Sequence, residues 1–192
     1  MDSRTVTQDA PRPDVPPAGD GLAFRSPHRE DGADLWDLAV AVGLDENSPY
    51  AYLMWAEYFA ASSIVAVDTT VGDGTGVVGF IIGFVPPGRD DVVFVWQIGV
   101  ATTHRKRGIG DRMLEALVVN SGARYVEATV TPDNVASRTM FRRFGERHGG
   151  GTEVTPLFAA HHFPADAGDH EAEDRLLVGP LTVDPASSAS SA

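Results

Sequence analysis

The chain has 192 residues, 43% of them apolar, a formal net charge of −12 and no cysteine. That length suits one domain with a core of its own, and so acidic a surface makes nucleic acid a poor partner. Without cysteine there is no disulfide framework, zinc–thiolate site or thiolate nucleophile, so any acyl transfer is direct or uses an oxygen nucleophile.

Residues 1–22 are rich in proline, aspartate and small residues and read as a disordered tail, as does the Ser/Ala-rich end at 184–192, leaving one domain over 23–183. No apolar run approaches a membrane span, and Met1-Asp2-Ser3 opens no signal peptide, so the expected setting is cytoplasmic. Phe24 and Arg25 enter a first strand, and Asp31 is placed to cap a helix whose Leu35, Leu38, Ala39 and Val42 share a face. A loop over 43–48 follows, and Pro49 opens a second helix through about 61. Two antiparallel strands are expected at 64–67 and 77–84, joined by a turn at Gly72-Asp73-Gly74. After Pro86-Pro87-Gly88 comes the most apolar strand, 92–100, then a helix over 110–120, a strand over 125–131 and a helix over 134–147. A break at Gly149–Gly151 precedes a strand near 157–162, and 175–183 is a last strand. Strands first, then strand–helix–strand–helix, then a terminal hairpin, is an α+β order with a mixed sheet.

The segment Arg105-Lys106-Arg107-Gly108-Ile109-Gly110 lies between the apolar strand and the helix after it. A helix N-terminus carries unpaired N–H groups and about half a positive charge, so this is a cradle for pyrophosphate. Gly108 and Gly110 let the backbone approach the phosphates, and three cations stand beside it, including Lys106, the one lysine of the chain. No Gly-Lys-Ser/Thr follows, so it is not a P-loop, and the dinucleotide fingerprint needs a third glycine at another spacing.

The Arg-x-x-Gly-x-Gly turn after a strand resembles the acetyl-CoA motif of the GNAT acetyltransferases. Asn134, Ser137, Met140, Phe141 and Gly145, following the strand that ends at Val130-Thr131, are similar to that family's next cofactor-flanking helix. Further segments resemble the diaminobutyrate acetyltransferases of ectoine biosynthesis: 44–52 with Asp45, Asn47, Ser48, Tyr50 and Tyr52; Phe84-Val85-Pro86-Pro87; Phe94-Val95-Trp96-Gln97; 127–134 with Thr129; and His170-Glu171-x-Glu173.

The resemblance implies a GNAT fold: a mixed, mostly antiparallel sheet flanked by helices, its central strand splayed from its neighbour. It implies acetyl-CoA as cosubstrate, no metal, a small-molecule amine acceptor and a homodimer, with neither nucleic acid nor membrane as partner. The cofactor would be held by Ile98, Gly99 and Val100, by Arg105, Lys106, Arg107, Gly108, Ile109 and Gly110, and by Asn134, Ser137 and Phe141. An N–H near Ile98 would bind the thioester carbonyl. Asp45 and Glu173 are the implied bases, and Tyr50, Trp96, Thr129, His170 and Glu171 complete the implied acceptor pocket, with Tyr52 a further candidate for its wall. Many GNATs place a tyrosine seven residues after the asparagine as proton donor to the departing thiolate; here that position is Phe141, which cannot donate. The residues leave other readings open: a GNAT for a polyamine, an aminoglycoside or a protein N-terminus, or an acetyl-CoA sensor without catalysis.

Overall fold

The computed structural model describes residues 19–45, 47–71, 76–164 and 170–183. Both expected tails, up to residue 18 and from 184, and the turn at Gly72-Asp73-Gly74 lie outside the described residues. Strand β1 (Leu22–Arg25) leads to helices α1 (Gly32–Ala41) and α2 (Pro49–Tyr58), then strands β2 (Ile64–Asp68), β3 (Val77–Phe84) and β4 (Val92–Val100). Helix α3 (Ile109–Ser121), β5 (Tyr125–Val130), α4 (Val135–Arg147), β6 (Gly151–Phe158) and β7 (Glu173–Gly179) complete the order. The strands form one sheet in the order β1-β2-β3-β4-β5-β7-β6. β4 and β5 run parallel, and the other neighbours pair antiparallel.

Two apolar layers sandwich the sheet. On one side Leu35, Ala39, Tyr52 and Ala56 of α1 and α2 pack on Val65, Val67, Phe80 and Ile82. On the other, Ile109, Met113, Leu114 and Leu117 of α3 and Phe141 and Phe144 of α4 pack on Ile81, Val93, Val95, Val126, Ala128 and Val178. The spacing along α3 is that of a helix with one buried stripe, and Gly122 ends it at φ 68°. Pro49 at the first helical position and the Ser48 hydroxyl, which accepts from Tyr50 N–H at 3.3 Å, start α2.

Four expectations need correction. β1 begins at Leu22, fully buried, so the ordered domain starts inside the stretch assigned to the tail. The strand expected near 157–162 runs instead from Gly151 to Phe158, and Ala160–His162 is a 3-10 turn. β6 is an edge strand with little buried face, so it lacks the alternation that marks strands in sequence; its pairing with β7 creates it. β7 runs Glu173–Gly179, earlier than expected, and Pro180, which has no N–H to donate, follows it.

Asp31, the fourth, does not cap α1. Its backbone is already helical (φ −74°, ψ −12°), whereas a capping residue is extended. The carboxylate turns back to accept from Arg25 at 2.6 and 2.8 Å and from the His28 N–H at 2.6 Å. Burial opposes its ionisation, but Arg25 and His28 outweigh burial and hold its pKa below the ordinary carboxylate value. The carboxylate therefore contributes stability that is complete above about pH 4 and is lost as pH falls through the lowered folded pKa. Asp31→Asn is expected to destabilise the fold by about 3 kcal/mol at neutral pH. It should also flatten the acid limb of the stability curve. Denaturant midpoints between pH 7 and pH 3 check both; an unchanged acid limb would contradict the assignment.

Candidate active site

The parallel ladder between β4 and β5 runs from Val92↔Tyr125 to Val95↔Ala128 and stops there. Beyond it β4 stays with β3, while β5 stays with β7 through Thr129↔Arg175 and Val130↔Asp174. The two strands therefore part in mid-sheet. A β-bulge marks the place: Ile82 faces Gln97 and Gly83 faces Val95, which leaves Trp96 as the extra residue.

The backbone at the opening follows from the ladder. Ala101 N–H bonds to Val78 C=O at 2.8 Å, so by the two-residue alternation Gly99 and Gln97 also face β3. Ile98 and Val100 turn their N–H and C=O groups the other way, into the gap. Arg105 Nε donates to Val100 C=O at 3.4 Å from that side. Gly99 is thus placed differently from its two neighbours. A Cβ there would stand 3.1 Å from Phe80 and 3.3 Å from Val42, so its bareness lets the end of α1 close on β4.

The basic turn over 105–110, expected to hold phosphate, lies on the α3 side of the gap. Lys106 (φ 65°) and Gly108 (φ 71°) both take left-handed backbone, and Gly108 is the N-cap of α3 without a capping side chain. The first-turn N–H groups of α3 therefore have no side-chain acceptor at the cap. Arg105, Lys106, Arg107 and Gly108 are exposed, and Ile109 anchors the turn in the core. Arg107 donates to Asp20 C=O at 3.2 Å, and Arg112 pairs with the Asp20 carboxylate at 2.7 Å. His104, at the base of the turn, lies 3.2 Å from Asp68, whose carboxyl the Thr70 hydroxyl and N–H hold down at about 2, helped by His104. Gly110 packs where α3 meets α4, and a Cβ there would stand 3.3 Å from Met140 Sδ. Asn134 caps α4 by accepting from Ser137 N–H at 3.0 Å, which uses two of the expected cofactor residues on each other.

The acceptor candidates divide between the α1–α2 loop and the far side of the gap. Asp45 is exposed, and its carbonyl accepts from Gln97 Nε2 at 3.2 Å and Asn47 Nδ2 at 3.1 Å. Tyr50 is 68% exposed on α2, whereas Tyr52 is fully buried and gives its hydroxyl to Gln97 Oε1 at 3.0 Å. Burial raises the Tyr52 pKa and the nearby Asp45 charge adds to that, against hydrogen bonding with Asn47 and Gln97. Trp96, 37% exposed, stacks on Trp55 with ring centroids 5.0 Å apart. Thr129 is the first β5 residue past the last rung. Its neighbours Ala128 and Val130 belong to the α3–α4 core, so it faces the same side as Trp96.

Glu173 opens β7 opposite Phe158, half-buried, and by the same alternation shares the Thr129 face. His170 stacks on Phe163 at 4.8 Å. Glu171 lies beside Asp133, whose carboxyl is held low chiefly by the Thr131 hydroxyl. Among the described residues no hydrogen bond or ion pair joins Asp45 to Glu173, so the structure brings Asp45, Trp96 and Tyr52 together around Gln97 and leaves His170 and Glu171 on a separate loop.

Phe141 is 2% exposed and lies in the α3–α4 core. Phe141→Tyr is expected to leave turnover within a few-fold, read from steady-state rates. A large rate gain would show that the protein lacks an acid and can use one there.

An opening between parallel strands beside an uncapped, basic helix N-terminus defines an acyl-CoA-type site, and comparison with known proteins agrees. The model of the acetyltransferase (GNAT) family matches residues 27–145. The chain belongs to that family, and its mixed seven-stranded sheet has the GNAT fold. It is similar to L-2,4-diaminobutyric acid acetyltransferase of Shouchella clausii, 44% identical over 83% of this chain and 88% of that one. It is likewise similar to the enzyme of that name from Streptomyces coelicolor, 41% identical over 84% of this chain and 94% of that one. Among solved structures it is similar to diaminobutyrate acetyltransferase EctA of Paenibacillus lautus, in complex with L-2,4-diaminobutyric acid and coenzyme A. That match has a TM-score of 0.75 and 36% identity, covering 86% of this chain and 99% of the other.

Proposed function

We propose that this protein transfers the acetyl group of acetyl-CoA to the γ-amine of L-2,4-diaminobutyrate, the acetylation step of ectoine formation. The opening between β4 and β5 carries the reading. It puts β4 backbone that β5 no longer pairs between the basic turn on one face and Asp45 and Trp96 on the other. The diaminobutyrate relatives and the EctA complex support the choice of amine.

The residues present fit acetyl-CoA. The first turn of α3, with Arg105, Lys106 and Arg107, suits the pyrophosphate, and the inward-turned groups of Ile98 and Val100 suit the pantetheine amides. Asn134 and Ser137 would flank it from α4, with Phe141, buried in the core, behind them. Bound there, the cosubstrate supplies an activated acyl carbon. Ile98 N–H donates to the carbonyl oxygen, and losing such a donor typically costs ~10²–10³ in rate. The amine must be neutral to attack. With a pKa of about 10.4, roughly one molecule in 2,500 is ready near pH 7, a contribution of about 4.6 kcal/mol to the barrier. Asp45 or Glu173, directly or through water, takes the proton as the amine nitrogen bonds to the acyl carbon and the C–S bond breaks. The thiolate leaves with its electron pair and takes a proton from water or Tyr50, since Phe141 has none to give. Tyr50, Trp96, Thr129, His170 and Glu171 shape and charge the acceptor side.

The same reading takes one catalytic domain acting in the cytoplasm as a homodimer. Among the described residues no helix is long and apolar enough to cross a membrane. The outer edge strand β6 shows Val154, Leu157 and Phe158 to solvent, an edge that a second copy would cover. A thiol-release assay with acetyl-CoA and a panel of amines tests the function. Diaminobutyrate should be turned over in preference to polyamines, aminoglycosides and peptide N-termini, with a product heavier by one acetyl group. Thiol release independent of every amine, or preference for a peptide, would overturn it.

A further inference from the structure

We infer that Gln97 is the positioning residue of the acceptor loop: bonded at once to Tyr52 and to the Asp45 carbonyl, it sets where the Asp45 carboxylate meets the amine. The inference rests on the acceptor reading given above and adds a residue that the sequence alone left without a role.

The bulge creates the arrangement. In a regular strand successive side chains point to opposite faces. Here Trp96 stacks on Trp55 of α2 and Gln97 bonds to Tyr52 of α2, so two consecutive residues project to one face. Both polar ends of the Gln97 amide are used. Its nitrogen must donate to the Asp45 carbonyl at 3.2 Å, which turns its oxygen to Tyr52 and makes the buried phenol the donor at 3.0 Å. Asn47 Nδ2 doubles the bond to the Asp45 carbonyl, and Trp36 Nε1 donates to the Asn47 carbonyl at 3.2 Å.

Of these ties, the one from Gln97 comes from β4, the strand that lines the gap. The next residue, Ile98, turns its N–H into that gap. Consecutive residues of one strand therefore hold the two reaction partners: Gln97 through the Asp45 loop on the amine side, Ile98 through its N–H on the acyl side. Misplacing reacting groups by about 1 Å costs on the order of 10²-fold in rate. A loop tied to the strand that binds the acyl group keeps that distance fixed, and with it the preference for one chain length of diamine.

Gln97→Met keeps the length of the side chain and removes both bonds. It should raise KM for diaminobutyrate and lower kcat/KM by about 10- to 100-fold. Acetyl-CoA affinity by calorimetry should stay within about twofold, and the preference for diaminobutyrate over ornithine should shrink by about threefold or more. Gln97→Glu keeps an oxygen for Tyr52 but sets another against the Asp45 carbonyl, so it should lose as much. Tyr52→Phe leaves the loop bond in place and should lose less. A residue that only supports the fold would lower rates with both amines equally and leave their ratio alone. That result, or wild-type kinetics in folded Gln97→Met or Gln97→Glu, overturns the inference. If Gln97→Met does not fold, Gln97→Glu against Tyr52→Phe decides it. Wild-type turnover in the same assay reports separately on the acceptor: if another amine is preferred, the acceptor reading fails and the Gln97 comparison is made on that amine and its next homologue.

Discussion

Asp45→Asn is expected to lower kcat/KM for diaminobutyrate by about 10²-fold or more, within the ~10²–10⁴ that a positioned acid–base group contributes, and Glu173→Gln to do the same. Each change keeps the size of the side chain and removes a negative charge from the side where a cation must bind and lose its proton. The backbone bonds that place Asp45 are made by its carbonyl, so Asp45→Asn leaves them intact. Acetyl-CoA affinity should hardly change, because the turn proposed to hold its phosphates lies on the other face of β4. Full activity in both variants would remove these carboxylates from the mechanism; a loss in acetyl-CoA binding equal to the loss in rate would mean that they support the cofactor side instead.

The second large effect belongs to Gly108. Gly108→Val is expected to weaken acetyl-CoA binding by at least about tenfold, the equivalent of 1.4 kcal/mol. Its φ of 71° strains a β-branched residue, and the side chain stands at the uncapped end of α3 where the phosphates must approach. Gly108 is a cleaner probe than Gly110. A Cβ at 108 meets nothing within 4 Å, whereas one at 110 presses on Met140 and disturbs the contact of α3 with α4. Gly108→Asn tolerates left-handed backbone better and separates strain from obstruction. Arg105→Ala should do less, since an exposed charge is screened by salt. Calorimetry decides: unchanged affinity in a folded Gly108→Val variant would move the phosphates elsewhere.

The contrast between β4 and β6 shows what a sequence can reveal. β4 runs over the expected 92–100 because a largely buried strand reads as a mostly apolar run between turns. α3 and α4 were equally plain from their buried stripes and their Gly and Asn ends. β6 was misplaced because Gly151, Thr152, Glu153 and Pro156 carry no apolar period; an edge strand is defined by the partner it finds. At the candidate site, the basic turn before α3 is legible because its glycines and cations are adjacent in sequence. The Tyr52–Gln97–Asp45 link was not. Residues 45 and 97 meet through a bulge, and a bulge follows from register between β3 and β4, which single-strand patterns do not encode. Asp31 shows the same limit on a smaller scale: its partner Arg25 outcompetes the cap that its position suggests.

On the proposed reading, this fold holds one diamine so that one of its nitrogens reaches the acyl carbon. Nuclear magnetic resonance of the product formed from acetyl-CoA and diaminobutyrate, with ornithine as a competing acceptor, tests it most directly. A single γ-acetyl isomer is expected, with slower reaction of ornithine, whose extra methylene is worth about 1–3 kcal/mol in a fitted pocket. An α-acetyl product, a mixture of isomers, or equal kcat/KM for diaminobutyrate and ornithine would contradict it.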